Sequence, residues 1–162
     1  MAKTNNKKNT PKNKTGKGPF LSLIIPAYNE EKLIGDTLEQ VTGFLDAKPF
    51  DYEVIVVDDG SKDRTVEIAK GFGGDEGAVR VLENVRNRGK GFSVRKGFQS
   101  AKGEYALFSD ADLSTPIVDT DLLLKWHADG FEIAIGSRAL KESQVDLHQP
   151  WWREIMGKTF NK

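Results

Sequence analysis

Apolar runs and amphipathic stretches alternate along the chain from Phe20 onward. Leu21 to Ile25 is a short, branched apolar run closed by Pro26, which predicts a first strand. From Glu30 to about Ala47, Leu33, Ile34, Leu38, Val41 and Leu45 recur at helical spacing, with acids in the first turn where the helix dipole favours them. Val54 to Val57 reads as a second buried strand, and a helix from about Asp63 would bury Val66, Ile68 or Ala69, and Phe72. Gly71 to Gly77 breaks that helix. Ala78 to Leu82 predicts a third strand, and the loop Asn84 to Gly91 leads into a helix carrying Phe92, Arg95, Phe98 and Ala101. Tyr105 to Phe108 is the expected fourth strand, Val118 to about Ala128 a helix, and Phe131 to Ile135 a fifth strand ending at Gly136-Ser137-Arg138. A polar stretch follows, then a helix from Trp151 to Phe160. Strands joined by helical crossovers of one hand predict an open, mostly parallel α/β sheet covered by helices on both faces.

Composition narrows this picture. With 162 residues, 38% of them apolar, the chain suits one domain with an ordinary core. Its 24 basic and 24 acidic side chains cancel, so gross charge nominates no nucleic-acid partner. The cancellation conceals an asymmetry: residues 1–18 hold six lysines and no acid, leaving 18 bases against 24 acids in residues 19–162. The lysine-rich stretch has no apolar period and reads as a solvated arm preceding a domain at 19–162. Six lysines would also hold anionic lipid, so the expectation is a cytoplasmic protein with a peripheral membrane contact as its alternative. No cysteine is present, which excludes a disulfide framework, a zinc–thiolate site and a thiol nucleophile. No apolar run approaches the roughly 18 residues of a membrane-spanning helix.

Open parallel sheets bind ligands at the carboxyl ends of their strands. Those ends are polar here: Pro26-Ala27-Tyr28-Asn29-Glu30, Asp58-Asp59-Gly60-Ser61, Asp110-Ala111-Asp112 and Gly136-Ser137-Arg138. In an extended segment residues two apart point the same way, so Asp110 and Asp112 can converge on one hard cation, Mg²⁺ or Mn²⁺, with coordination left open for diphosphate oxygens. Acids are also common in turns, and it is the position after a buried strand that favours metal over turn. Asp58 or Asp59 would accept the ring N–H of uracil or guanine, while one of the pair caps the following helix. The loop Arg86-Asn87-Arg88-Gly89-Lys90-Gly91 offers bases and close backbone approach to phosphate. It lacks the spacing of a P-loop, and no Gly-x-Gly-x-x-Gly follows the first strand, so nucleotidase and dehydrogenase readings are disfavoured. His127 and His148 have no metal-ligand spacing. Phe92, Phe98, Trp126 and Phe131 are expected in the core, and Trp151-Trp152 beside Arg153 at a membrane-facing acceptor mouth.

Together Pro26-Ala27-Tyr28-Asn29-Glu30, Val57-Asp58-Asp59-Gly60-Ser61 with Asp63 and Thr65, and Asp110-Ala111-Asp112 resemble the family 2 glycosyltransferases of Rossmann-like GT-A fold. Asn87-x-Gly89-Lys90-Gly91, Gly136-Ser137-Arg138 and Arg153-x-x-x-Gly157-x-x-Phe160-Asn161 look like the dolichyl-phosphate glucose and mannose synthase branch, the glucose side being nearer. The resemblance implies a nucleotide-sugar donor, UDP-glucose in preference to GDP-mannose, and a polyprenyl-phosphate acceptor. It implies donor binding by Pro26, Ala27, Tyr28, Glu30, Asp58, Asp59, Lys90, Asp110, Ala111, Asp112 and Arg138, with metal on Asp110 and Asp112. Asp112 and Arg138 would act at the departing diphosphate, and Arg153 on the acceptor phosphate. Mannose synthases often carry Gln two residues beyond the second metal aspartate; Ser114 stands there, so no third protein ligand is implied. The implied reaction is a single inverting displacement. Members of the family continue well past the position of Lys162, so the acceptor-side part is expected to be missing: either a truncated product that binds donor and transfers poorly, or a partner polypeptide. Transfer to a saccharide hydroxyl, and nucleotide-sugar binding without turnover, are the alternatives.

Overall fold

The structure is a computed structural model that describes residues 18–73 and 77–136. Residues 1–17 of the lysine-rich stretch, the helix expected from Trp151 to Phe160, Ser137, Arg138 and Arg153 therefore lie outside the described residues. The chain divides into two compact units, 1–120 and 121–162.

In the first unit, β1 (Leu21–Ala27), β2 (Tyr52–Asp58), β3 (Val79–Glu83) and β4 (Tyr105–Phe108) form one parallel sheet in the order β3-β2-β1-β4. β1 and β2 are central, which is why both read as unbroken apolar runs: a strand covered on two faces has no polar side to show. Leu21 pairs with Tyr52 and with Tyr105, so all three strands start level.

The crossovers fix the layers. α1 (Ile34–Leu45) and α2 (Thr65–Gly71) carry the chain outward from β1 to β3 on one face. α3 (Lys90–Ser100) returns it across the sheet to β4 on the other. On the first face Ile34, Leu38, Val41 and Leu45 pack on Leu21, Leu23, Ile25, Val54 and Val56, all essentially inaccessible. Each such side chain contributes about 1.5–3 kcal/mol. The second face is thinner, built on Ile24, Ile55 and Val57. α3 can approach closely because Gly97 faces it: a Cβ there would sit 2.4 Å from Ile24 Cγ2.

Four expectations change. α1 begins at Ile34 rather than Glu30, because Glu30 to Leu33 form a turn in which Leu33 N–H bonds the Glu30 carbonyl. Leu33 is 44% exposed. Phe92 and Phe98 are not core but surface residues, since Ser93 and Gly97 occupy the buried line of α3. In α4 (Thr120–Ala128) and after it, Trp126 and Phe131 are also exposed and meet edge to face at 5.5 Å. Residues 131–135 form no strand: their composition suits one, but a strand exists only through a paired neighbour, and Ile133 and Ile135 are solvent-exposed.

Candidate active site

Strand order reverses between β1 and β4, the place where an open sheet leaves a crevice beyond its carboxyl ends. A cleft of about 410 Å³ opens there, lined by Pro26, Ala27, Tyr28, Glu30, Asp59, Asn87, Gly89, Lys90, Ser93, Asp110, Ala111 and Asp112.

Its floor is set from α1. The Thr37 hydroxyl donates to the Ala111 carbonyl at 2.5 Å, and Ala111 itself is buried. Asp110 to Leu113 is not extended as expected but a turn closed by the Leu113 N–H on the Asp110 carbonyl at 3.1 Å; with the small Ala111 drawn into the core, Asp110 and Asp112 both line the cleft. Leu113 then turns the chain at φ +47°, and Asp112 Oδ1 accepts the Ser114 N–H at 2.9 Å. Asp110 Oδ1 lies 2.6 Å from Lys90 Nζ.

The two acids after β2 part company. Asp58 turns back on its own loop, accepting the Gly60 and Ser61 N–H groups at 3.0 and 3.1 Å, and does not line the cleft. Asp59 reaches the cleft and holds the loop beyond β3: it accepts the Arg88 N–H at 2.9 Å, the Gly89 N–H at 2.8 Å and the Asn84 amide at 2.8 Å. Burial alone would raise the Asp59 pKa, but these bonds and the nearby Ser93 hydroxyl outweigh it and hold the carboxyl below its ordinary value. Asn84 is pinned in turn by Ser93 Oγ at 3.0 Å and Lys96 Nζ at 2.9 Å. Gly60 lets the two loops touch: at φ +79° it lies so near Arg86 that a Cβ would be 2.8 Å from the Arg86 carbonyl carbon.

The loop after β1 is laced to the loop after β2 by reciprocal bonds. Asn29 N–H donates to Ser61 Oγ at 2.9 Å while Asn29 Oδ1 accepts the Lys62 N–H at 2.9 Å. Glu30 N–H donates to Thr65 Oγ1 at 2.8 Å. Glu31 N–H donates to Asp63 Oδ2 at 3.1 Å, and Glu31 Oε2 accepts the Arg64 N–H at 3.2 Å. Asn29, Ser61, Asp63 and Thr65 thus position the wall. Glu30 lines it, and its pKa is raised by burial first, then by the charges of Asp112 and Asp63.

Nine of the residues expected at the site, Pro26, Ala27, Tyr28, Glu30, Asp59, Lys90, Asp110, Ala111 and Asp112, meet in this one cleft. Asn87, Gly89 and Ser93 join them. Asn87 and Gly89 belong to the phosphate-loop motif; Ser93 carried no signal beyond standing one helical turn after Lys90. Among the described residues no three acidic or imidazole side chains gather into a metal cage. Two hard carboxylates on one wall do suit Mg²⁺ or Mn²⁺ that takes its other ligands from water and phosphate.

The profile of glycosyl transferase family 2 matches residues 22–161. The chain belongs to that family. Among curated relatives of this family 2 chain is a dolichyl-phosphate beta-glucosyltransferase of Drosophila melanogaster, 44% identical over 156 residues, covering 87% of the chain and 47% of the relative. The Homo sapiens dolichyl-phosphate beta-glucosyltransferase is 38% identical over 151 residues, covering 84% and 46%. The chain spans about half the length of these relatives. A solved mannosyltransferase, PcManGT from Pyrobaculum calidifontis in complex with GDP-Man and Mn²⁺, superposes with TM-score 0.59 at 27% identity, over 72% of this chain and 34% of its own. Residues 1–349 of S. aureus TarS in complex with UDP-GlcNAc superpose with TM-score 0.53 at 29% identity, over 67% and 32%. The family 2 chain has the GT-A type of fold, an all-parallel sheet flanked by helices.

Proposed function

We propose that this family 2 chain carries the donor half of a metal-dependent, inverting hexosyltransferase that moves glucose from UDP-glucose to a dolichyl or other polyprenyl phosphate. The observation that carries the reading is the cleft at the strand-order reversal, where Asp110 and Asp112 face the loop that Asp59 holds. The names of the relatives support the acceptor and the sugar. The neighbour solved with GDP-Man and Mn²⁺ supports a nucleotide sugar and a divalent ion.

Tyr28, Glu30 and Asp59 line the cleft, and in this reading they would border the nucleoside, with Asp59 offered to the ring N–H of the base. Asp110 and Asp112 would hold the ion, which when bound neutralises charge developing on the diphosphate. Lys90 supplies a second positive charge at the same oxygens. By resemblance, Arg138 holds the leaving diphosphate and Arg153 the acceptor phosphate. The acceptor oxygen attacks the anomeric carbon as the bond to the diphosphate breaks, and configuration inverts. A phosphate monoester with second pKa near 6 is largely dianionic at neutral pH, so the site must position the nucleophile rather than deprotonate it. The protein would work at a cytoplasmic membrane face; among the described residues no helix is long and apolar enough to cross a membrane.

Calorimetry with UDP, with and without Mn²⁺, tests the donor half. Metal-dependent binding in the wild type that disappears in Asp110→Asn/Asp112→Asn is expected, and unchanged affinity in that variant refutes the assignment. A charged glycolipid formed from UDP-glucose and polyprenyl phosphate tests the acceptor, whereas a lengthened glycan contradicts it.

A further inference from the structure

Lys90 is the first residue of α3 and the one cation among the described residues lining the cleft. Its ammonium lies 2.6 Å from Asp110 Oδ1 and 5.3 Å from the centre of the Phe108 ring. Local structure does not favour a cation there: the first turn of a helix presents the positive end of its dipole, and no acid of that turn offsets it. The lysine is held across the cleft instead, by a carboxylate that the proposed function assigns to a divalent ion. Both partners are partly solvated, at 60% and 36% side-chain exposure, so the pair is weak and easily exchanged. Lys96, further along the same helix, differs: its ammonium is fixed on the Glu83 carbonyl and the Asn84 amide oxygen, at 2.8 and 2.9 Å.

We infer that Lys90 and the divalent cation are alternative occupants of Asp110, and that the displaced lysine becomes a ligand of the donor's diphosphate. This rests on the metal reading of Asp110 and Asp112 proposed above. An ammonium held 2.6 Å from Asp110 Oδ1 opposes a divalent ion on the same carboxylate, because the two positive centres would stand within a few ångströms and repel each other. Once released, the ammonium needs an anion, and the phosphate oxygens drawn to the ion are within the same cleft. Without nucleotide the lysine competes with metal; with nucleotide it cooperates. Metal and diphosphate therefore strengthen each other's binding, and by linkage the coupling is the same read from either side. The lysine keeps the acidic wall neutralised until both ligands arrive.

The experiment is a Mn²⁺ titration of the full chain by electron paramagnetic resonance, with and without saturating UDP, in wild type, Lys90→Met and Arg88→Met. Without UDP, Lys90→Met is expected to bind Mn²⁺ about two- to fivefold more tightly than wild type, the scale on which a weak surface pair shifts an equilibrium. With UDP that advantage is expected to vanish or reverse, and UDP itself binds Lys90→Met more weakly. Without UDP, Arg88→Met, which removes a charge stacked on Phe92, should change Mn²⁺ affinity less than twofold. Equal or weaker Mn²⁺ binding by Lys90→Met without UDP overturns the inference, as does an equal gain in Arg88→Met. Asp110→Asn separates the two levels of the argument. If it leaves Mn²⁺ binding intact, the metal site is wrongly assigned and the exchange falls with it. If it abolishes binding while Lys90→Met behaves as wild type, the metal site stands and only the exchange is refuted.

Discussion

The Arg80 guanidinium donates to the Glu53 carboxylate at 2.8 Å, at the end of the sheet opposite the cleft. Glu53 also accepts the Ser22 hydroxyl at 2.6 Å and the Lys102 N–H at 2.7 Å, and Ser22 Oγ accepts the Gly103 N–H at 2.8 Å. One carboxylate thus ties β1, β2 and β3 to the turn that delivers β4. β4 is four residues long and ends two residues before Asp110, so its register is set from this end. Gly103 is required for the approach, since a Cβ would lie 2.6 Å from the Ser22 amide nitrogen.

Glu53→Gln should therefore destabilise the fold by about 2 kcal/mol, since the residue is buried and charge-assisted bonds are lost. Burial acts to raise the Glu53 pKa, but the Ser22, Arg80 and Lys102 bonds and the Arg80 charge win and lower it from 4.5. A lowered folded-state pKa means stability that is present above the unfolded value and lost as pH falls through the folded one. Urea unfolding between pH 7 and pH 3 should show the gap between wild type and variant constant at neutral pH and closing below about 4.5. A gap that persists undiminished to pH 3 contradicts this.

Asp58 and Asp59 should separate cleanly on substitution. Asp58→Asn keeps an oxygen that can cap the Gly60 and Ser61 N–H groups, and is expected to change nucleotide affinity less than twofold. Asp59→Asn sets an amide N–H₂ against donors from Arg88, Gly89 and Asn84. Amide exchange at Arg88 and Gly89 should accelerate, and UDP should bind about tenfold more weakly, the cost of about one lost charge-assisted hydrogen bond. Greater loss of affinity in Asp58→Asn than in Asp59→Asn would reverse the roles.

That distinction marks where the sequence stops being legible. β1, β2 and the α1 stripe were readable because burial on one or two faces leaves a periodic trace. Asp110 and Asp112 do share the cleft, but through a turn closed by Leu113 N–H on the Asp110 carbonyl rather than through the strand alternation that suggested it. Which acid caps and which faces the cleft depends on Asn84, Arg88 and Gly89, 25 to 30 residues away from Asp59. The lacing of Asn29, Glu30 and Glu31 to Ser61–Thr65 spans 32 to 35 residues and leaves no periodicity. Phe92 and Phe98 misled because aromatic character suggested core, whereas the close approach at Gly97 turned Ser93 inward instead. Residues 131–135 misled because strand composition says nothing about whether a partner is available.

Thr65→Val tests the lacing. Thr65 is wholly buried, accepts the Glu30 N–H, and donates its hydroxyl to Asp63 Oδ1 at 2.5 Å. Valine fits the space but leaves the Glu30 N–H without that acceptor, for an expected loss of about 1–3 kcal/mol. UDP affinity should fall with it, because the same amide fixes the cleft wall. A stability loss with wild-type UDP affinity would show that the lacing serves the fold alone.

Glu30→Gln should act in the opposite direction on stability. Burial raises the Glu30 pKa above 4.5, and the charges of Asp112 and Asp63 add to it. A carboxyl whose folded-state pKa is raised is harder to ionise in the native protein than in the unfolded chain. Its ionisation therefore costs stability as pH rises through the unfolded and then the folded value, and the full cost persists above both. Glutamine removes the charge while keeping the backbone N–H bond to Thr65, so Tm at pH 7 should rise by about 1–2 °C. The rise should disappear below about pH 4, where wild-type Glu30 is protonated in both states. Asp112→Asn relieves part of the same repulsion, so the two substitutions together should stabilise by less than their sum. The gain should come with weaker Mn²⁺ binding in the presence of UDP, because crowding carboxylates around a cleft lowers stability while attracting a cation. A lower Tm for Glu30→Gln at pH 7 would show that Glu30 serves as a structural hydrogen-bond acceptor rather than part of a charged wall.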